Sequence, residues 1–256
     1  MKRFFVCGLY LLLLYGFIFL PVIVLVVFSF QAGRFPIPPF QGFSLKWHEA
    51  VLGDEDLMVA LFNSLLVATV SSLVSLVLGF LAARAVSNGS LPFSKGIRGL
   101  ITAPISVSYL VIGLGLLASL NLMGIGLSLW TVGIGHAVIN TPLCFAICLS
   151  AMGERQITAE RAARDLGAGE MSVMGLVTAP MILPALIAAF LLSMTFSWDE
   201  FIIAFLLSRF DVTLPVEIWS LLRSGLNPKT NAVGSLVFLL SAFVVLAAEL
   251  ITMRRK

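Results

Sequence analysis

Two neighbouring carboxylates, Asp199 and Glu200, stand in the otherwise apolar run SMTFSWDEFIIAF. Placing an acid at the centre of a bilayer costs about 2.5–3.5 kcal/mol, and less toward the interface. A pair kept there lines a wet cavity and meets a cation, or caps a broken helix, or emerges at the membrane edge. Successive helical positions point about 100° apart, so the two need not share a face. His136 stands alone in another apolar run, where a packed, hydrogen-bonded imidazole is favoured over a proton relay. Cys7, Cys144 and Cys148 are odd in number and lack metal-ligand spacing. Cys144 and Cys148 share one helical face and are expected to act as small packing residues.

The longest charge-bearing stretch between two apolar blocks is residues 159–180, AERAARDLGAGEMSVMGLVTAP. It carries Glu160, Arg161, Arg164, Asp165 and Glu170, interleaved with Ala162, Ala163 and Ala168. A slack linker would lean on Ser, Gly and Pro, whereas residues 159–166 favour helix. Gly167 and Gly169 are placed to stop that helix and turn the chain. A short exposed helix with an alanine face invites close approach by another protein. The alternative is an amphipathic loop lying on the lipid surface.

The elements that position these residues follow from composition. Of 256 residues, 59% are hydrophobic and 11% charged, with mean hydropathy +1.06. A soluble domain carries about 25% charged residues, so most of this chain belongs in lipid. Six apolar runs are long enough for the roughly 30 Å hydrocarbon core: residues 9–30, 61–86, 100–120, 127–151, 181–207 and 233–253. They are continuous rather than alternating, which predicts helices and excludes barrel strands. Pro21 is expected to bend the first helix and Pro142 to interrupt the fourth, and Pro104 lies near the start of the third. Lys2 and Arg3 begin like a signal peptide, but the apolar run is too long and lacks a small-x-small cleavage site, so the first helix is expected to stay.

Basic residues set the orientation. With six spans both termini share a side. Lys2, Arg3, Arg84, Lys95, Arg98, Arg155, Arg161, Arg164, Arg254, Arg255 and Lys256 fall on that side, and Arg34, Lys46, Arg209, Arg223 and Lys229 on the other. Eleven against five places the termini and the polar segment in the cytoplasm. Glu249 then lies near the cytoplasmic end of the last span, snorkelling or pairing with Arg254 or Arg255. The net charge of +3 gives no reason to invoke nucleic acid. Outside, residues 35–40 (FPIPPF) should be extended, and Ser44-Leu45-Lys46-Trp47 should open a short surface helix. Trp47 anchors that helix at the interface or lines the outer mouth.

Residues 159–180 resemble the "EAA" loop of ABC importer permeases: Glu-Ala-Ala, three residues, Gly, nine residues, then Ile-x-Leu-Pro. Arg161-Ala162-Ala163 occupies the first slot, with Glu160 one residue early; Gly167 occupies the second and Val177-Thr178-Ala179-Pro180 the third. The likeness extends over nearly the whole chain. It implies a single polytopic all-α permease domain, residues 1–256, of the type I importer kind, in a bacterial inner membrane. Asn63-Ser64-Leu65 and the small-residue helix through Gly79, Ala82 and Ala83 also resemble these permeases, while the outer loop with Thr213-Leu214-Pro215, together with Trp198-Asp199-Glu200 and Asn227-Pro228 with Asn231-Ala232, resembles the spermidine/putrescine branch. In that branch an acidic pair on the fifth helix is associated with polyamine passage, which maps onto Asp199 and Glu200, and an outer aromatic maps onto Trp47. Ser108-Tyr109 stands where those permeases often carry Pro-Asp, and related branches move phosphonates, iron or other small solutes.

The resemblance implies half of a pore. The other partners are a homologous second permease, two copies of a nucleotide-binding ATPase and an outer solute-binding protein. Glu160, Arg161, Ala162, Ala163, Asp165 and Gly167 would form the short cytoplasmic coupling helix gripped by the ATPase. The chain has no G-x-x-x-x-G-K-[ST] stretch, so ATP and Mg belong to that partner and no cofactor is expected here. His-Glu-x-x-His and Gly-x-Ser-x-Gly are also missing, which argues against an intramembrane enzyme. An ion-coupled carrier or channel subunit is the rival reading, but it leaves the docking segment without a purpose.

Overall fold

The computed structural model describes residues 2–88, 93–225 and 227–253. In chain order the helices are α1 (Lys2–Ser29), α2 (Lys46–Leu52), α3 (Glu55–Ser87) and α4 (Ser94–Thr102), the last running into a 3-10 turn, Ala103–Ser106. Then come α5 (Tyr109–Leu122), α6 (Leu129–Ala151), α7 (Glu154–Asp165) and α8 (Glu170–Val173). A π turn, Met174–Thr178, leads to α9 (Ala179–Met181), α10 (Leu183–Trp198), α11 (Ile202–Leu207), α12 (Leu214–Arg223) and α13 (Pro228–Met253). Among the described residues there is no strand, only an isolated bridge between Gln31 and Phe43. The all-α expectation holds, for the reason that lipid leaves backbone amides no partner outside their own segment.

Four of the six apolar runs are single helices. α1, α3, α6 and α13 have 28, 33, 23 and 26 residues. At about 1.5 Å per residue each exceeds the roughly 30 Å core. The expected interruption at Pro142 does not occur, because α6 runs through it and Pro142 is buried. Pro142 has no N–H for the Val138 carbonyl one turn back, and the adjacent Ala137 carbonyl accepts Thr141 Oγ1 (2.6 Å) and Ser75 Oγ (3.3 Å), which ties the weakened turn to α3.

The third and fifth runs are broken. The axis turns by 104° between residues 94–106 and Tyr109–Leu122. Pro104 sits in the 3-10 turn, and Val107 and Ser108 are extended, so α4 cannot continue into α5. The axis turns by 80° between Glu170–Met181 and Leu183–Trp198, with Pro184 in the first turn of α10. A second break follows at residues 199–201, before α11.

The chain forms two compact units. In the unit of residues 60–216, two apolar cores lie along α3 and α6, the first shared with α11 and the second with α10. One gathers Val67, Val132, Ile203 and Leu207; the other Phe80, Cys144, Phe145, Cys148 and Ala189. Cys144 and Cys148 are therefore packing residues, both buried and free. Helices approach closely where side chains vanish: a Cβ on Gly79 would stand 2.6 Å from the Phe145 amide nitrogen. In the unit of residues 1–59 and 217–256, α1 and α2 pack on α13. Phe30 stacks on Phe43 and His48, each at 4.7 Å, and Lys229 pairs with Asp54. The Glu249 pairing lies outside the described residues, as do the basic side chains of both termini.

Candidate functional site

α7 forms because Glu, Arg, Gln and Ala favour helix, and its ends are set by charge and glycine. Glu154 lies in the first turn and Arg164 in the last, as the helix dipole favours. At the far end Gly167 has φ +85°, its N–H bonds the Arg164 carbonyl (2.9 Å), and the Ala168 N–H bonds the Ala163 carbonyl (3.0 Å). Those two bonds are a Schellman stop, for which the left-handed residue is nearly always glycine.

The helix has two faces. Thr158, Arg161, Ala162 and Asp165, at helical spacing, are exposed; Gln156 and Glu160 are buried and Ala163 half-buried. Leu166 beyond them is 89% exposed. Glu160 has no exposed surface at all. Its carboxylate accepts Thr178 Oγ1 (2.6 Å), Gln156 Nε2, Arg164 Nη2 (2.9 Å) and the Arg84 fork (3.4 Å). Arg84 Nη2 and Arg164 Nε also reach Glu170, at 2.7 and 2.6 Å. Removing one partner from a buried ion pair costs about 3–5 kcal/mol, so a network with two arginines between two carboxylates holds its members in place.

The electrostatics follow. Burial opposes the charge on Glu160, but hydrogen bonds from Thr178, Gln156 and Arg84, and the Arg84 charge, outweigh it and hold the carboxyl below its ordinary value. Hydrogen bonds from Arg164 and then Arg84 take Glu170 down to about 2. The residue in the motif's glutamate slot, Arg161, faces outward, and Glu160 one position earlier is the buried acid. Sequence reasoning placed Arg84 only as one more cytoplasmic charge. Its signal was that it is the sole charge between Leu57 and Ser87.

The acidic pair Asp199 and Glu200 divides in two. α10 ends at Trp198, and Asp199 behind it is exposed. Glu200 is 5% exposed, and its oxygens accept the amides of Ile202 (3.0 Å), Ile203 (2.8 Å) and Ala204 (3.2 Å). It caps the first turn of α11, whose amides lack carbonyl partners within the helix. His136 Nε2 stands 3.5 Å from Glu200 Oε2, while its Nδ1 meets Ser197 Oγ (2.6 Å), which in turn meets Ser71 Oγ (3.0 Å). His136 is thus a packed, hydrogen-bonded residue that ties α6 to the break in the fifth run.

Trp47 belongs to the other unit. It is half-buried, and its Nε1 donates to the Gln31 carbonyl (2.8 Å). With Arg34, Phe35, Ser224, Gly225 and Asn227 it lines a cavity of about 420 Å³. The buried Gln31 side chain holds the preceding loop by bonding Gln41 N–H (2.8 Å) and the carbonyls of Ile37 and Pro39 (both 3.3 Å). α2 follows from Lys46, a short helix where one was expected. Among the described residues no group of His, Cys, Asp and Glu is arranged to hold a metal.

Membrane-length helices, together with a polar helix tied to the Arg84 end of α3, are the parts a membrane permease component requires. The chain belongs to the family of binding-protein-dependent transport system inner membrane components, whose pattern matches residues 75–256. It is 28% identical over 253 residues to the spermidine/putrescine transport system permease protein PotC of Haemophilus influenzae, covering 98% of each chain. It is 32% identical over 235 residues to the putrescine transport system permease protein PotI of Escherichia coli, covering 89% of this chain and 83% of that one. Among solved structures it resembles a bacterial ABC transporter involved in the import of the acidic polysaccharide alginate. The TM-score is 0.73 at 18% identity, over 98% of this chain and 96% of that one, a likeness of fold.

Proposed function

We propose that this permease forms half of the pathway of an ATP-driven importer for a polyamine such as spermidine or putrescine. The observation that carries the transport role is the two-faced α7, with Arg161, Ala162 and Asp165 outward and Glu160 tied behind them to Arg84 of α3 and to Thr178. A surface so held suits a groove in a separate ATPase, which binds ATP and Mg and supplies the motion. Two copies of that ATPase, a homologous second permease and an outer solute-binding protein complete the assembly. The whole chain acts as one permease domain, with α7 and both termini in the cytoplasm, in keeping with its excess of basic residues there.

The polyamine reading rests on the relatives that carry that function and on the exposed carboxylate of Asp199 at a helix break. In this reading Asp199 and Trp47 meet the passing cation. Glu200, already engaged by three amides, contributes to the path by holding the break open. Uptake of radiolabelled putrescine and spermidine by cells expressing the complete importer tests it. Asp199→Asn should lower uptake about tenfold, equivalent to about 1.4 kcal/mol, by raising KM. Unchanged uptake would remove Asp199 from the path, and uptake of a phosphonate or iron chelate instead would replace the substrate class.

A further inference from the structure

Arg84 lies at the inner end of α3 and is 13% exposed there, with both its fork nitrogens spent on Glu160 and Glu170. α3 contains no proline and runs unbroken to Ser87. From Arg84 outward its polar side chains tie it to the rest of the 60–216 unit at successive heights. Ser75 bonds the Ala137 carbonyl of α6, and Ser71 meets Ser197 at the end of α10. Ser64 Oγ accepts the Leu214 amide (2.7 Å), and Asn63 Nδ2 donates to the Val212 carbonyl (3.0 Å). Asn63 and Arg84 are 21 residues apart, roughly 31 Å along a helix. Gly79 closes α3 directly onto α6, so the rod is packed against its neighbour without slack.

The geometry points to Arg84 as the positioning residue that hooks α7 to α3, so that motion of α7 is delivered along α3 to Ser197 and to the outer loop at residues 212–214. This rests on the reading of α7 as the ATPase dock, and goes beyond it by naming the element through which the dock acts. A fork is needed because one side chain has to engage two carboxylates at once, one on α7 and one on α8. Lysine, with a single ammonium, holds them less firmly. Arg84 is not expected to touch the ATPase, since its guanidinium is enclosed by Glu160 and Glu170.

The test reads motion at the outer loop. In the complete importer with its cognate partners, a chain carrying Cys7→Ser and Phe210→Cys is labelled with a water-soluble maleimide, with and without ATP and vanadate. Phe210 is 84% exposed, so the new thiol is reachable. Nucleotide should change the labelling rate at least about fivefold, the lower end of usual coupling effects. Arg84→Gln should abolish that change while the ATPase still co-purifies, and Arg84→Lys should keep part of it. If Arg84→Gln does not accumulate in the membrane, Arg84→Lys alone decides, through a reduced nucleotide effect. A nucleotide effect that persists undiminished in these variants, or that is missing in the parent, would overturn the proposal. Leu166→Asp separates the underlying reading: it should release the ATPase, and retention of the ATPase would contradict docking at α7 rather than the part given to Arg84.

Discussion

Glu160 and Glu170 lie ten positions apart and share two arginines, yet one is enclosed and the other open to solvent. The open one gives a measurable signature. Its carboxyl is held at about 2, below an ordinary value of 4.5. A depressed carboxyl stabilises the fold above its unfolded value and loses that contribution as pH falls through the folded one. The difference in Tm between the parent and Glu170→Gln should therefore be constant from neutral pH down to about 5, shrink below about 4.5 and vanish near 2. A difference independent of pH would mean that the ion pairs seen here contribute nothing. At this scale the sequence was partly legible. The charges of residues 159–170 marked a polar helix with an exposed face, but which acid turns inward depends on helix phase. The pairing of Arg84 with Glu160 joins residues 76 apart and leaves no local trace.

α7 shows what an element owes to its ends. Nothing lies within 4 Å of a Cβ built on Gly167, so any cost of substitution there comes from its φ of +85°. Gly167→Val should cost about 1–3 kcal/mol of local strain, unwinding the last turn and displacing Leu166. The expected outcome is a chain that inserts at normal level but in which ATP hydrolysis by the assembled importer no longer drives uptake. Retained coupling would show that the Schellman stop is dispensable. The stop itself was legible, because an alanine-rich helix meeting Gly167 has few other ways to end. The break in the third run was not, and that in the fifth was only one of three readings of Asp199 and Glu200. Hydropathy continues across Pro104 and across residues 199–201, and only the extended Val107 and Ser108, and the amides gathered by Glu200, reveal that the helices restart. The long runs that became α1, α3, α6 and α13 were legible because length and continuity alone demand a helix in lipid.

For the molecule as a whole, family, composition and fold agree on a membrane permease component. Polar groups of the unit of residues 1–59 and 217–256 gather at Trp47 and the loop around Gln31, and those of the 60–216 unit at α7 and at the broken fifth run. Elsewhere the chain is nearly all apolar, with His136, Ser197 and Ser71 as a buried polar link inside the 60–216 unit. The central claim is that the outward face of α7 is held by a nucleotide-hydrolysing partner. The most direct measurement is cross-linking from Ala162→Cys, in a Cys7→Ser background, in membranes containing the cognate ATPase. The expected result is a single adduct with the mass of permease plus ATPase, together with protection of the thiol from soluble maleimide. A thiol that labels at the same rate with and without the ATPase, and forms no adduct, would contradict it.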